Sequence, residues 1–391
     1  MPIRLFQLLG LLFFIATVRA EERGTGDLGI IVERASGNVD IVETTGRTLL
    51  GKVGGLGDLS HASAVFSRDQ RFAYVFGRDG GLNKIDLLAG TLSGRTVQAG
   101  NSIGGAISQD GRLVAVANYE PGGVKVFDSR TLAPVADIPA RFDDRGTLSK
   151  VVGLVDAPGR RFVYSLFDAG EIWIADFSGA GQPVVTRLGG IGREPYDALI
   201  TPDGRYYIAG LFGEDGLALV DLWSPGEGPR RIPFDYGREG GERLPVYKMP
   251  HLEGWAIAGD YMFVPAMGRH MVLVFRRGDW TEIKRISVRG QPVFAMARPD
   301  GRQVWINFAL PDNDTVQIVD VKKLAVVQEL KPGKAVLHME FTPRGEEVWI
   351  SARDENKVKI YDTSTFAQVG ELDVDTPSGI FFSARAHKIG L

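Results

Sequence analysis

The sequence contains no cysteine. That excludes disulfides, thiolate metal sites, a cysteine nucleophile, c-type haem attachment through C-x-x-C-H, and a lipid anchor on an N-terminal cysteine. Histidine and methionine are scarce, with five and seven residues. No charge of one sign dominates: 24% of residues are charged and the formal net charge is -3, so nothing favours a nucleic-acid polyanion. No segment sustains a helical apolar period. A Ser-His-Asp order, H-E-x-x-H, a Walker loop and a strand-following G-x-G-x-x-G are missing as well. "PDNDT" at Pro311 to Thr315 resembles part of a calcium loop but lacks the rest of that motif.

What abounds is glycine, 50 in 391 residues, which implies many tight turns and short strands. With 44% hydrophobic residues, the composition is that of a soluble globular protein. The one long apolar run opens the chain, in "MPIRLFQLLGLLFFIATVRA". Arg4 gives a short positive start, Leu5 to Val18 an apolar core, and Val18-Arg19-Ala20 a small-residue cleavage site. The core is about fourteen residues, short of the ~20 that a membrane span needs. Residues 1–20 are therefore expected to be a signal peptide. Residues 21–391 would form one exported domain with no membrane span after cleavage.

Beyond it the chain repeats with a period of roughly forty to fifty residues. One mark is a β-rich run ending in an acidic residue: "NVDIVE" at Glu43, "LNKID" at Asp86, "VKVFD" at Asp128, "IWIAD" at Asp176, "LALVD" at Asp221, "VQIVD" at Asp320 and "VKIYD" at Asp362. "MVLVF" at Phe275 completes the set. The other mark is a turn upstream of the runs, as in "SQDGRLVAVA", "TPDGRYYIAG" and "RPDGRQVWIN". Asp-Gly and Pro-Asp-Gly supply tight-turn conformations, and the flanking Val-, Ile-, Tyr-, Phe- and Trp-rich runs read as strands. Four strands per period make a propeller blade. There are eight runs but seven internal turn units, and the missing half-unit lies in "TPSGIFFSARAHKIGL". The expected fold is all-β: an eight-bladed β-propeller, its ring closed by pairing the C-terminal strands with "LGIIVERASGNVDIVE".

In such a ring the innermost strands line a central channel. The strands starting "LSHASAVF", "SKVVGLVDA", "EPYDALI", "MPHLEGWAIA" and "AVLHMEF" carry His61, His251 and His338 at these positions. His270 and His387 lie elsewhere. Lys150, Asp156, Tyr196 and Asp197 fall on the same lining strands. His61 could be a structural imidazole, a catalytic base or a metal ligand.

"LSHASAVFSRDQRFAYVFGRDGGLNKIDL" resembles the haem-binding blade of the d1-haem propeller family, known from the d1-haem domain of periplasmic nitrite reductase. "RGTGDLGIIVERASGNVDIVE", "GGAISQDGRLVAVANYEPGGVKVFD" and "PHLEGWAIAGDYMFVP" resemble the periplasmic d1-haem biosynthesis proteins of that family more closely still. The similarity runs from Arg23 to Leu391.

The resemblance implies that His61 is the proximal ligand to the iron of d1 haem or its precursor; His251, on a channel-lining strand, is a further cofactor-site candidate. The two distal histidines of nitrite reductase align with Ala157, beside Asp156, and with Tyr196, beside Asp197, so neither is retained. That argues against nitrite reduction and leaves Asp156 first, and Asp197 second, as acid/base candidates. Arg78, Lys150 and Arg193 are candidates for the tetrapyrrole carboxylates, and Tyr119 and Trp255 for packing on its ring face. Implied partners are nitrite reductase and other d1-haem biosynthesis proteins, with a homodimer left open. Two roles stay open: a tetrapyrrole-modifying, dehydrogenase-like oxidoreductase, or a non-catalytic carrier that delivers d1 haem. An exported lactonase or an amine-oxidising subunit would use the same fold. The first needs a carboxylate/Asn metal cage, which cannot be picked out here, and the second a quinone-bearing partner.

Overall fold

The structure is a computed structural model that describes residues 23–233, 235 and 254–390, with Asp197 and Met267 described in the backbone alone. The expected signal peptide lies outside the described residues, as does His251. The described chain forms eight four-stranded antiparallel sheets with no α-helix, a β-propeller of eight blades. The innermost strands are Pro377–Phe382 in blade 1, Ser63–Phe66 in blade 2, Asn101–Ile107 in blade 3 and Val151–Ala157 in blade 4. Blades 5 to 8 follow with Pro195–Ile200, Ala256–Ala258, Pro292–Ala297 and Val336–Phe341. The ring closes as the sequence implies. The C-terminal strand pairs with Leu28–Glu33, placing Gly29 opposite Phe382 and Ile31 opposite Ile380.

The acidic residue that ends the third strand in every blade but the sixth has a local cause. Its carboxylate accepts backbone N–H groups of the following turn: Asp86 from Leu88 and Ala89, Asp128 from Arg130 and Thr131, Asp362 from Ser364 and Thr365. Asp221 and Asp320 do the same toward Trp223 and Lys323. These are Asx-type turns that fix the hairpin to the outermost strand. The core lies between blades, filled by residues such as Trp305 and Trp349, both 0% exposed.

Six of the eight inner strands break register near their starts. Ile103, Gly153 and Leu154, Tyr196 and Asp197, Val293, Leu337 and His338, and Ser378 and Gly379 all fall in the gaps between paired residues. Such bulges re-aim side chains. Here Ile103, Gly153, Leu154, Val293, Leu337, His338, Ser378 and Gly379 come onto the wall of the axial cavity. Gly153 shows why one of these positions is glycine. Its φ is +59°, and a Cβ there would meet the Tyr207 hydroxyl at 2.8 Å.

Candidate functional site

A cavity of about 560 Å³ runs along the propeller axis, walled by blades 1 to 4, 7 and 8. Its two mouths differ. The upper one, at the strand starts, is rimmed by Ser60, His61, Arg34, Arg353 and Leu310, the last 71% exposed. The C-terminal segment crosses the lower one. Arg385 pairs with Glu340 of blade 8, Ala386 joins the core of blades 1 and 2, and Ile389 packs against blades 4 and 5. Arg385 and Glu340 are only 4% and 6% exposed in their side chains. Arg68 ties the strand ends to this floor by donating to the carbonyls of Ile107, Ser108 and Ala386.

The half-buried His61 stands on a loop with two anchors. Leu56 and Leu59 are buried in the core, and the Arg34 guanidinium donates to the Ser60 carbonyl at 2.6 Å. The Asp58 carboxylate accepts the Ser60 amide at 2.8 Å, while the Asp58 carbonyl accepts the Arg78 amide at 2.8 Å. Hydrogen bonds from Ser60, together with the charges of Arg78 and Arg34, hold the Asp58 carboxyl below its usual range. Burial, then the positive charges of Arg353 and Arg78, push the Arg34 guanidinium down. The guanidiniums of Arg34 and Arg353 thus stand on the rim with His61, and the charge of Arg78 acts on Arg34 from beside them. Arg353 has Asp354 as a partner at 2.7 Å, and Arg78 is exposed. An iron tetrapyrrole fits this place. An imidazole is offered for its iron, cations for its carboxylates and an apolar wall for its ring.

His338 lies deeper, in the blade 8 bulge. Its amide donates to the Ser351 hydroxyl at 2.9 Å, and its Nδ1 accepts the Ile380 amide at 3.2 Å. The ring sits between Phe294, edge-on with centroids 6.2 Å apart, and Phe381 at 5.2 Å. Protein surrounds it, yet part of its surface faces the cavity. Burial, reinforced by the Arg385 charge, pushes its pKa down to about 3.

Asp156 does not face the rim that carries His61. It is the sixth residue of a seven-residue strand, which brings it to the lower mouth. There it is 2% exposed and accepts the Gly390 amide at 2.9 Å and the Gln109 side chain, with Arg68 at 3.7 Å. Burial raises its pKa. It anchors the floor.

Other expected residues divide. Tyr119 and Tyr196 meet, phenol to phenol at 2.9 Å, and Phe167 packs edge-on against Tyr196 with centroids 5.9 Å apart. Lys150 lies over Phe167 at 4.8 Å and pairs with Asp168 at 2.8 Å, so its charge is already matched. These four form a cluster beside the cavity wall, not on it. Arg193 is 71% exposed in its side chain and pairs with Glu214, an outer-surface arrangement. Trp255 is buried in the core of blades 5 and 6 with Ile208, Leu217 and Met262, which makes it a packing residue, not a ring-stacking one. The Asp197 side chain lies outside the described ones. Sequence reasoning missed Arg34 and Arg353, which reach the rim from loops beside the neighbouring blades. No motif marks either one.

Comparison with known proteins is in keeping with this arrangement. The cytochrome D1 heme domain model matches residues 23–386. "Protein NirF" of Pseudomonas aeruginosa is 63% identical over 370 residues, 94% of each chain, and "Protein NirF" of Stutzerimonas stutzeri is 57% identical over 391 residues, covering 100% of this chain and 99% of that one. Among solved structures, dihydro-heme d1 dehydrogenase NirN in complex with DHE superposes with a TM-score of 0.81 at 25% identity, over 94% of this chain and 77% of that one. No helix among the described residues is long and apolar enough to cross a membrane. A propeller matched along nearly its whole length in this way belongs to the cytochrome d1 haem domain family and, within it, to the NirF proteins.

Proposed function

We propose that the chain binds d1 haem or its late precursor at the upper mouth of the channel, where His61 would ligate the iron, and acts in a late step of d1-haem biosynthesis. The observation that carries this reading is the place of His61, on an anchored loop at the rim of the axial cavity beside the guanidiniums of Arg34 and Arg353. The bound tetrapyrrole would supply the iron and the conjugated macrocycle. The chain's own groups do the rest. Arg34 fixes the His61 loop, and with Arg78 and Arg353 it attracts and orients carboxylates. The crossed lower mouth directs entry to the upper one. Leu5 to Val18 and the Val18-Arg19-Ala20 site support export to the periplasm with cleavage after Ala20.

The finer reading is participation in oxidative modification of the macrocycle. Without cysteine the chain carries no c-type haem, so the electrons must leave to an external acceptor. The carrier reading gains from the position of Asp156, because the first acid/base candidate is engaged in holding the floor. Incubating the purified mature chain with the d1-haem precursor and an electron acceptor separates the two. Conversion of precursor supports the enzyme. Transfer of bound, unchanged d1 haem to cofactor-free nitrite reductase supports the carrier. A chain that binds neither compound overturns both.

A further inference from the structure

Two histidines among the described residues line the axial cavity, and their surroundings assign them opposite duties. A neutral imidazole has one ring nitrogen with a lone pair and one with a proton. In His338 the lone pair is already used, because Nδ1 accepts the Ile380 amide at 3.2 Å. The proton therefore sits on Nε2. The other tautomer would set two N–H donors against each other. Protonating both nitrogens would do the same, and would also bring a second positive charge toward Arg385. Among the described residues that guanidinium is the charged group acting on the ring, and it is itself paired with Glu340. Nε2 finds no acceptor among the described residues and is not sealed off from the cavity.

Resting on the tetrapyrrole reading above, we propose that His338 is a permanently neutral donor whose Nε2–H recognises an uncharged oxygen on the macrocycle rim, and that it neither ligates iron nor moves a proton. Ligation and base action both need a free lone pair, and the Ile380 amide holds the only one. The acceptor is a carbonyl and not a carboxylate because of what surrounds the ring. Phe294 and Phe381 flank it, and an aromatic wall penalises a buried anion far more than a neutral carbonyl. Carboxylates are served by Arg34 and Arg353 at the rim, with Arg78 beside them. The bulge that exposes His338 is held by Ser351, which is 0% exposed and takes the amide of His338 on its hydroxyl. The position is therefore built, in the manner of a residue that determines specificity.

The test uses the full mature chain and two probes, d1 haem, whose ring bears oxo groups, and protohaem, whose ring bears none. His338→Phe keeps the aromatic bulk and removes the donor. It should weaken d1-haem binding about tenfold, the worth of one hydrogen bond, and leave protohaem binding unchanged. His338→Asn keeps an N–H donor that cannot titrate and should recover part of the loss. In both variants the iron-ligand band should stay where it is in the wild type. Ring nitrogen-15 spectra of the unloaded wild-type protein should show His338 as the Nε2-protonated tautomer, without titration between about pH 5 and 8. Wild-type d1-haem affinity in His338→Phe, a shifted iron-ligand band, or a ring that titrates in that window overturns the proposal. If His338→Phe does not fold, the asparagine variant and the nitrogen spectra still decide. If the wild type binds no d1 haem, the functional reading fails while the tautomer is judged separately.

Discussion

Asp156 accepts the Gly390 amide and the Gln109 side chain while 2% exposed, with Arg68 3.7 Å away. Its work is to hold the tail that crosses the lower mouth. Burial raises its pKa, which makes the charged form costlier here than in the unfolded chain. Any stability this gives is complete below the unfolded value of 3.8 and is lost as pH rises through the folded value. Asparagine keeps an acceptor for Gly390 and removes the buried charge. Asp156→Asn is therefore expected to fold as the wild type and to support d1-haem production in cells. Asp156→Ala leaves the Gly390 amide unpartnered, at a cost of about 1–3 kcal/mol in urea unfolding and with faster hydrogen exchange in the C-terminal segment. A well-folded Asp156→Asn protein that no longer supports production would return this carboxyl to acid/base work.

Elements differ in how far they can be read from sequence. The blade repeat was legible because its marks are local. An aspartate accepting amides two and three residues on, as Asp86 and Asp362 do, writes the same turn in repeat after repeat, with Glu43 in blade 1 and blade 6 departing from it. The inner strands were legible for the same reason, each following such a repeat. Depth along a strand was not. From Val151 to Asp156 the chain rises by about 16 Å at ~3.3 Å per residue, enough to carry a side chain from one mouth toward the other. Placing Asp156 on a lining strand therefore said nothing about which mouth it serves. Nor were the bulges legible. Whether His338 faces the cavity depends on its pairing with Glu347–Ala352, whose Ser351 occupies the gap. Arg34 and Arg353 reach the rim from different blades, and only closure of the ring brings them together.

The closed ring also carries a pH signature. At its seam Glu33 and Asp40 share Lys52, at 2.6 and 3.8 Å. Burial, then the Glu33 charge, pushes the Asp40 carboxyl up to about 7. Burial works against Glu33 as well, but hydrogen bonds from Lys52, Asn38 and Ser36 hold it below its usual range. Asp40 thus contributes stability that is complete below its unfolded value of 3.8 and is lost as pH rises through about 7. His338 runs the other way. Its contribution is complete above the unfolded 6.5 and is lost as pH falls toward about 3. Thermal unfolding across pH separates the two. Asp40→Asn should gain on the wild type as pH rises through about 7, and His338→Phe should flatten the acid limb. Parallel curves for the wild type and Asp40→Asn would show that the seam does not titrate.

The role of His61 is tested most directly by adding d1 haem to the purified mature chain and to His61→Ala, and comparing their optical spectra while far-UV circular dichroism checks the fold. With His61 on the iron, the alanine variant loses or shifts the iron-ligand band at native circular dichroism, and added imidazole restores it. Identical spectra from the two folded proteins would contradict ligation by His61 and return it to a structural role.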